Sequence, residues 1–492
     1  MHKNVQIKLN QNEYREKVYA CWLGKNIGGT MGTPYEGTHD YLDIKGFASE
    51  AGAPLPNDDL DLQLVWLHAV EQIGSRAINA STLGEFWLSF LPPHWNEYGI
   101  GKINMKRGLI PPLAGDYNNI WKHSNGAWIR TEVWACMAPA CPDIAAKYAI
   151  EDAKVDHGMG EGTYAAAFVA SMQSAAFVVK DIRKCIDIGL SQIPEDCRMY
   201  DSIRMAIDLY DAKTPIKDAR NAIQQRNADI GNGWFEAPSN VAYAVLGLLY
   251  GEGDFKKTMI YAINCGDDTD CTGATVGATL GILGGMEMIP EDWKAHIGDD
   301  IVTISIDLGG VCRKVPKTCT ELTERVVAQT PHLLFDNDAP VVLTDGENEI
   351  PENIDEIIAS SCSTRNILEA TKPYSMHFDF TFASAEVTLD RAPDIAPNGE
   401  IGVHIDFINN QLVYDRGYYN LSLRWWLPDG FVAEGGRQTL MLPRKDKKQT
   451  GMISVDFTLK AGEQVASSNR CVLEVVAEGR HTPMYIPVLL LG

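Results

Sequence analysis

The spacing of apolar and polar positions divides the chain into a helical part followed by a β-rich part. From about residue 11 to about residue 330, apolar residues recur at the three- and four-residue spacing that places them on one helix face. A helix predicted to begin near Asp58 would line such a face with Leu62, Val65, Trp66, Ala69, Val70 and Ile73. Further helices are predicted around residues 143–152, 161–180, 199–210, 238–250, 255–264 and 271–285. We therefore expect an all-α N-terminal domain at residues 1–330.

The pattern changes after Pro331, where segments that alternate apolar and polar residues replace the helical spacing. Turn signals such as Pro-Asp-Gly at 428–430 separate these segments, as expected for antiparallel strands. The segments are HFDFTFASAEVTL, GEIGVHIDFINN, YYNLSLRWWL, MISVDFTL and CVLEVVAE. We expect a C-terminal all-β sandwich at residues 373–492, preceded by a linker or docking segment at residues 331–372.

Small residues repeat every four positions in two of the predicted helices. The stripes consist of Ala20, Gly24, Gly28 and Gly32 in the first helix and of Gly273, Gly277 and Gly281 in the second. A glycine inside a helix costs roughly 1 kcal/mol relative to alanine, so a regular stripe indicates that helix backbones approach each other closely. Close packing of these two helices would bring the aspartates near them together.

The net charge limits the classes of partner. The 492 residues carry a formal net charge of −22, from 43 basic and 65 acidic side chains, which repels polyanions and excludes a nucleic-acid partner. No apolar stretch follows the basic residues at the N-terminus, and none reaches the length of a membrane span. We therefore expect a soluble, cytoplasmic protein with no membrane partner, and the oligomeric state stays open.

Two aspartate clusters each lie at the predicted start of a helix. They consist of Asn57, Asp58, Asp59 and Asp61, and of Asp267, Asp268 and Asp270. One such residue is enough to cap a helix, whereas several neighbouring carboxylates repel one another unless a cation compensates them. Oxygen ligands without paired Cys or His favour Mg²⁺, Mn²⁺ or Ca²⁺ over zinc. The clusters therefore predict a site for one or two divalent ions.

Six segments, in order along the chain, together resemble the ADP-ribosylglycohydrolase family. They are CWLGKNIGGTMGTPYEG (21–37), NDDLDLQL (57–64), NGAWIRTEVWAC (125–136), DHGMGEGTYAAAFVASM (156–172), GNGWFEAPSNVAYAVLGLLYG (231–251) and CGDDTDCTGATVGATLGIL (265–283). The resemblance covers about residues 14 to 310. Each motif alone is weak, but the ordered set is specific, and it implies the helical bundle of that family.

The resemblance also implies roles for individual residues. The implied metal ligands are Asn57, Asp58 and Asp59 on one side and Asp268, Asp270 and Cys271 on the other. Glu36 matches the acidic residue that acts as acid or base at the scissile bond. Asn57 and Cys271 depart from the pattern because the family usually has threonine at both positions. A thiol is a poor ligand for Mg²⁺, so Asp61 or Thr272 could replace Cys271.

Several residues are candidates for contact with the substrate. His157 matches a histidine that is common in the family, and Gly158 belongs to a glycine-rich turn before a helix. Trp128 and Trp234 are candidates for stacking on a sugar or base. We expect about two residues to line the pocket from the aromatic set Trp95, Tyr98, Trp121, Trp128, Trp134 and Trp234. Basic residues that could meet an anionic ligand are Lys102, Lys106, Arg107 and Arg130.

Three hypotheses for the function follow. The first is a metal-dependent hydrolase that removes ADP-ribose from an acceptor, or hydrolyses a related ADP-ribosyl compound, at C1 of a ribosyl-type sugar. The second is a glycoside hydrolase that acts on a furanoside or oligosaccharide without ADP-ribose. The aromatic residues between 94 and 134 and the predicted sandwich favour it. The third is a non-catalytic binding protein stabilised by metal.

Overall fold

The computed structural model describes residues 6–52, 54–306, 315–361, 363–380, 382–410, 418–445 and 451–492. The chain forms two compact units. Unit 1 consists of Met1–Lys102 and Asn118–Ala370, and unit 2 consists of Ile103–Tyr117 and Thr371–Gly492. Within the described ranges, no helix combines the length and the apolar character that crossing a membrane requires.

Helices dominate unit 1, which confirms the predicted all-α character of the N-terminal region. The helices of the chain are α1 (Gln11–Gly32), α2 (Asp58–Ile73), α3 (Ala80–Phe90), α4 (Asn96–Arg107), α5 (Leu113–Asp116), α6 (Glu132–Met137), α7 (Pro142–Ala153), α8 (Glu161–Ala176), α9 (Ile182–Leu190), α10 (Arg198–Asp211), α11 (Ile216–Asn227), α12 (Ala237–Gly251), α13 (Phe255–Asn264), α14 (Thr269–Gly284), α15 (Glu291–Ile297), α16 (Cys319–Asp336), α17 (Ile354–Ala359) and α18 (Ser363–Ala370).

Helices α1 and α14 form the centre of unit 1, and their glycine stripes face each other. A Cβ atom added to Gly24 would lie 2.2 Å from the carbonyl oxygen of Gly277, and one added to Gly28 would lie 2.0 Å from that of Gly273. At the next turn, a Cβ on Gly32 would lie 2.3 Å from the Thr269 oxygen. These distances leave no room for a side chain, so the predicted close packing of the two helices is confirmed.

Residues 331–370 belong to unit 1, although the sequence predicted a linker or docking segment at 331–372. Helix α16 continues through residue 331 as far as Asp336. Strand β2 (Val341–Thr344) then pairs in parallel with strand β1 (Ile7–Asn10), which leads directly into α1. Helices α17 and α18 pack against α9 and α7. The helical unit therefore extends well beyond the predicted boundary at 330.

Unit 2 is an antiparallel β-structure with two sheets, as predicted. Its strands are β3 (Ser375–Asp379), β4 (Ala383–Leu389), β5 (Glu400–Asn409), β6 (Tyr419–Trp426), β7 (Val432–Gly435), β8 (Thr439–Leu442), β9 (Met452–Lys460), β10 (Asn469–Ala477) and β11 (Met484–Leu490). One sheet has the order β3-β4-β5-β9-β7 and the other β11-β10-β6-β8. Trp425 of one sheet contacts Phe457 of the other, with ring centroids 5.4 Å apart, so apolar faces meet between the sheets.

Residues 103–117 belong to unit 2, which the sequence did not predict. The amide of Asn104 donates hydrogen bonds to the carbonyl oxygens of Ala114 and Tyr117, both at 2.8 Å, and closes the segment into a compact turn. Pro112 forms a β-bridge with Met376, and the Tyr117 hydroxyl donates to Asp394. These long-range contacts carry no periodic signal in the sequence.

Candidate metal centre

The end of α1 positions Glu36. After Gly32 the chain continues through a single 3₁₀ turn, Thr33–Tyr35, and Glu36 follows at the end of this turn. The Thr33 hydroxyl donates to the carbonyl oxygen of Gly29 at 2.8 Å, which satisfies one of the free carbonyls at the helix terminus. The Glu36 side chain is consequently exposed at the rim of a cavity in unit 1.

The first turn of α2 carries the first aspartate cluster. Asn57 is the N-cap, and its side-chain oxygen accepts a hydrogen bond from the backbone N–H of Asp59 at 2.7 Å. Asp58 faces the cavity, and Asp59 is almost completely buried behind it. A single residue therefore caps the helix, and the two carboxylates remain available for another role.

The first turn of α14 carries the second cluster. The backbone at Asp267 has a positive φ of 64°, and its carboxylate accepts hydrogen bonds from Phe235 N–H at 3.1 Å and from the Asn240 amide at 3.0 Å. This anchored turn points Asp268 and Asp270 toward the cavity. Because Asp267 is occupied in holding the turn, it is structural.

The two clusters converge in one cavity of about 550 Å³. Single carboxylate oxygens of Glu36, Asp268 and Asp270 lie within 4.8 Å of one another. The same limit holds for ligand atoms of Asp59, Asp270 and Cys271. The expectation that α1 and α14 would bring the aspartates together is therefore confirmed. Each residue's role as a ligand stays a prediction.

Proximity and burial raise the pKa values of these carboxyl groups. The pKa of Glu36 rises to about 7, chiefly because of the neighbouring Asp270 carboxylate and secondly because of partial burial. Burial, followed by the charge of Asp270, raises the pKa of Asp58 to about 6. Burial is also the main cause that raises the pKa values of Asp59 and Asp268. A bound cation would oppose all of these shifts.

One buried carboxylate oxygen in each cluster lies where a cation could bind. The Oδ2 atom of Asp59 and the Oδ1 atom of Asp270 have no hydrogen-bond donor among the described residues. Lys25 is buried behind them, and its charge favours the ionised form of Asp59. Lys25 is itself paired with Glu132, with Nζ 3.2 Å from the carboxylate. One ammonium group, shared with Glu132, is therefore available to several carboxyl groups, and a proton or a cation has to compensate the rest.

Cys271 behaves as a protonated thiol. Its Sγ donates to the Oδ1 atom of Asp59 at 3.4 Å, and burial together with the adjacent carboxylates raises its pKa well above the usual range. A neutral thiol is a poor ligand for a hard cation. The oxygens of Glu36, Asp268 and Asp270 fit a divalent ion of the Mg²⁺ type better than the group that contains Cys271 does.

Asp61, the alternative ligand, uses one of its two carboxylate oxygens to hold the segment at Ile304 and Ser305. Its Oδ2 accepts hydrogen bonds from the backbone N–H of Ile304 at 2.8 Å and from the backbone and hydroxyl of Ser305. Thr272 likewise uses its hydroxyl within α14, where it donates to the Thr269 carbonyl at 3.2 Å. The Oδ1 atom of Asp61 is buried and has no hydrogen-bond partner among the described residues, so its role as an alternative ligand stays a prediction. Through Oδ2, Asp61 fixes Ile304, which lines the cavity.

The residues predicted to bind substrate take different places. Trp128 is completely buried, and its indole N–H donates to the Asn125 side-chain oxygen at 2.9 Å. His157 is also completely buried, with Nε2 3.3 Å from the hydroxyl of Ser124. Gly158 has a positive φ of 53° and accepts a hydrogen bond from Thr163 at its carbonyl.

These three residues lie behind the cavity, and Trp234 lies outside it. The Trp234 ring contacts His39, with ring centroids 3.4 Å apart, and the cavity lining contains the adjacent Phe235 instead. From the aromatic set named above, Trp95 and Tyr98 line the cavity. Two members of that set therefore line this cavity, and substrate binding by Trp128 and Trp234 stays a prediction.

The structure adds residues that sequence reasoning did not assign to the centre. Asn125 donates to the Oδ2 atom of Asp268 at 2.7 Å, and the Tyr98 hydroxyl donates to Asp58 at 3.3 Å. Asn240 accepts the backbone N–H of Asp268 at 3.2 Å. Asn125 and Asn240 both fall inside segments that resemble the family, which was the available signal. Tyr98 was a candidate only as an aromatic surface.

Comparison with known proteins finds similar solved structures but no matching curated protein. An ADP-ribosylglycohydrolase-related protein complex is 20% identical, covering 65% of this chain and 98% of that chain, with a TM-score of 0.43. A FixG-related protein from Vibrio parahaemolyticus is 12% identical, covering 23% and 97%, with a TM-score of 0.19. The GAE domain of GGA2p from Saccharomyces cerevisiae is 11% identical, covering 24% and 96%, with a TM-score of 0.16. Because these TM-scores are below 0.5, they support no conclusion.

The family model is more informative. The model described as ADP-ribosylglycohydrolase matches residues 10–325, which is more than half of the chain. The matched region contains α1, α2 and α14 and hence all of the residues that converge in the cavity. The chain therefore belongs to the ADP-ribosylglycohydrolase family and is a glycosyl-bond hydrolase.

Proposed function

We propose that this chain is a divalent-metal-dependent hydrolase that cleaves the bond at C1 of a ribosyl-type sugar, and that it removes ADP-ribose from an acceptor or hydrolyses a related ADP-ribosyl compound. One observation carries the proposal: carboxylates from α2, α14 and the turn after α1 share a cavity that contains unpaired buried oxygens. Buried carboxylates are costly unless a cation or a proton compensates them. A cation is the ligand that suits such a cluster.

The donor set supports Mg²⁺ or Mn²⁺, with Ca²⁺ as a further hard cation. Asp268 and Asp270, with Glu36 or Asp58 beside them, would hold one ion through oxygen atoms. Asp59 and Asn57 would complete a second position, but the protonated thiol of Cys271 weakens it. We therefore propose one firmly held ion and a second one that binds less tightly.

The reaction class assigns the bond changes. The bond from C1 to the leaving group breaks through an oxocarbenium-like state, and the oxygen of a water molecule forms the new bond to C1. A divalent ion in this centre would orient the hydroxyl groups of the sugar and act as a Lewis acid. One proton of this water passes to a carboxylate oxygen, and a protonated carboxyl group of the same centre gives a proton to the leaving group, so that the protons balance over one reaction cycle.

Glu36 is the group that we propose for this proton transfer. It lies at the rim of the cavity, where both water and substrate have access, and without a bound cation the neighbouring Asp270 carboxylate raises the pKa of Glu36 to about 7. A bound divalent ion would lower this pKa and favour the carboxylate form, which accepts a proton from water. We expect Glu36→Gln to abolish turnover while the unfolding midpoint stays as in the wild type. Glu50→Gln, which removes an exposed carboxylate elsewhere in unit 1, is the control. Full activity of Glu36→Gln would remove Glu36 from the mechanism.

The metal is tested separately. Wild type, Asp58→Ala and Asp268→Ala would be loaded with Mg²⁺ or Mn²⁺, and metal content would be measured together with release of ADP-ribose from ADP-ribosylated arginine. We expect both variants to lose metal and activity together. Unchanged metal occupancy in both would refute the ligand assignment. Bound metal without turnover of any glycoside would favour the non-catalytic alternative.

A second candidate, hydrolysis of a furanoside or oligosaccharide without ADP-ribose, has its own support. Trp95 is 45% exposed beside the cavity and offers a ring face on which a sugar can stack. No lysine or arginine occurs among the described residues that line the cavity. Release of free pentose from aryl furanosides, measured beside release of ADP-ribose, separates the two candidates.

A further inference from the structure

Glu97 is a further carboxylate in the cavity lining, and it is not among the candidate ligands of the metal centre. Glu97, in the first turn of α4, is only 6% exposed, and its Oε2 atom has no hydrogen-bond partner among the described residues. The backbone of Gly126 lies directly against the other oxygen, since a Cβ on Gly126 would come within 2.1 Å of Oε1. Glu97 therefore lines the cavity with a tightly packed carboxylate whose Oε2 atom is buried and has no hydrogen-bond partner among the described residues.

Burial and the Asp156 carboxylate raise the pKa of Glu97, whereas the charge of His157 and a hydrogen bond from Ser124 favour its ionised form. Asp156 and His157 lie behind Glu97, with one ligand atom of each of the three residues within 4.8 Å of the others. Asp156 is already bound by the buried guanidinium of Arg130, with Nη2 2.7 Å from Oδ1 and Nη1 3.1 Å from Oδ2. Arg130 also binds Asp152. Because a metal ion at this cluster would lie beside that guanidinium, Glu97 is better suited to an organic ligand.

Trp95 provides a surface next to Glu97. Its ring is 45% exposed and is stacked on Tyr98, with centroids 6.3 Å apart and planes 26° apart. The Tyr98 hydroxyl in turn reaches Asp58 of the metal centre. A ring that rests on Trp95 would therefore lie beside Glu97 and remain in the cavity that contains Asp268 and Asp270.

The charges around Glu97 disfavour a phosphate ligand. Lys102 and Arg130, which the sequence offered as partners for an anion, are buried, and Lys102 donates from Nζ to the carbonyl oxygen of Leu91. A phosphate beside Glu97 would meet a like charge in a partly desolvated pocket, where repulsion is stronger than in water. Hydroxyl groups, in contrast, are natural donors to a free carboxylate oxygen.

We propose that Trp95 and Glu97 form a substrate subsite that binds an uncharged, hydroxyl-bearing sugar ring, with a hydroxyl donating to the Glu97 carboxylate and the ring stacked on Trp95. The subsite specifies which part of the substrate lies against α4, and it rests on the proposed glycosyl-bond hydrolysis. Glu97 is a specificity-determining residue here, because it binds the sugar at a distance from the bond that breaks.

The test compares two ligands that differ by one phosphate, D-ribose and D-ribose 5-phosphate. Their binding to the full chain saturated with Mg²⁺ is measured by the change in tryptophan fluorescence and by calorimetry. The proteins are wild type, Glu97→Gln, Trp95→Ala and Glu347→Gln, the last of which removes an exposed carboxylate far along the chain as a matched control. Because the readout is binding, it does not depend on turnover.

In wild type, ribose should bind more tightly than ribose 5-phosphate. Glu97→Gln should weaken ribose by about tenfold, as expected for loss of a hydrogen bond to a charged group, and should strengthen ribose 5-phosphate. Trp95→Ala should weaken ribose and remove most of the fluorescence change, whereas Glu347→Gln should match the wild type.

Three results would overturn the subsite. In the first, ribose 5-phosphate binds more tightly than ribose and Glu97→Gln weakens that binding. In the second, Glu97→Gln changes the affinity for neither ligand. In the third, the wild type does not bind ribose. Tighter binding of a guanidinium compound such as agmatine would also refute an uncharged ligand. Failure of the proposed hydrolysis is recognised separately, by active Glu36→Gln or by metal retained in Asp268→Ala.

Discussion

Adding a single methyl group between α1 and α14 tests whether their backbone contact holds the metal centre together. In Gly28→Ala, the new Cβ would lie 2.0 Å from the carbonyl oxygen of Gly273, 2.1 Å from its carbon and 2.5 Å from the backbone nitrogen of Ala274. An ordinary contact needs at least 3.4 Å, and backbone atoms cannot rotate away as a side chain would. The two helices would therefore have to separate by more than 1 Å.

The free energy of this change follows from two opposing effects. Overpacking of an interior typically costs up to about 3 kcal/mol, and alanine recovers about 1 kcal/mol of helix propensity relative to glycine. We expect Gly28→Ala to lower the free energy of unfolding by about 2 kcal/mol and the unfolding midpoint by about 4 °C. Because α14 carries Asp270 and Gly29 of α1 lies directly against the Asn57 side chain, separating the two helices should also lower Mg²⁺ affinity by at least about tenfold.

Circular dichroism at 222 nm would follow unfolding, since it reports chiefly on helices, and calorimetric titration would give the Mg²⁺ affinity. Gly46→Ala is the matched control because no atom lies within 4 Å of its added Cβ. This control should stay within about 0.5 kcal/mol of the wild type. If Gly28→Ala unfolded at the same midpoint as Gly46→Ala and bound Mg²⁺ equally well, close backbone packing would not be what fixes the centre.

Three further substitutions address individual side chains. Asp270→Asn removes one of several carboxylates that repel one another, so the metal-free variant should unfold at a higher temperature than the metal-free wild type. The further rise of the unfolding midpoint that Mg²⁺ causes in the wild type should disappear in the variant. A full Mg²⁺-dependent rise in the variant would contradict this prediction. Cys271→Ser replaces the thiol with a hard oxygen ligand. Calorimetry should therefore show that Mg²⁺ binds more tightly and Cd²⁺ more weakly than in the wild type. An unchanged ratio of the two affinities would contradict this prediction. Burial raises the pKa of Glu236 from 4.5 to about 8, so the folded protein retains a proton that the unfolded chain releases. The free energy of unfolding should therefore fall as pH rises from about 4.5 to about 8. Urea denaturation should show that Glu236→Gln is stabilised relative to the wild type more at pH 8 than at pH 4.5. An equal gain at both pH values would mean that Glu236 does not titrate in this window.

The sequence predicted the features of this protein that leave a regular trace. The helix predicted near Asp58 begins at that residue, and the glycine stripes of α1 and α14 meet as expected. Both features follow from local rules, because amphipathic spacing and the absence of a Cβ can be recognised without knowing the fold. The two aspartate clusters were recognisable for a similar reason, since capping does not need so many carboxylates.

The features that the sequence did not predict depend on contacts between distant residues. Nothing in Ile7–Asn10 indicates that it pairs with Val341–Thr344, and four-residue strands are too short for a periodic signal. Trp128 was singled out as a surface for substrate, yet it orients Asn125 from the interior. The aromatic residue type was informative, but which ring faces the cavity depends on the loops between helices.

The contact between α1 and α14, which are far apart in the sequence, affects how the protein folds during translation. Helix α1 leaves the ribosome early, but its glycine-lined face has no partner until α14 has been synthesised, about 240 residues later. At 5–20 residues per second, this delay lasts roughly 12–50 seconds, and β2 follows later still. Nascent α1 therefore exposes an interior surface for much of translation, and ion binding should first appear on ribosome-bound chains from which α14 has emerged.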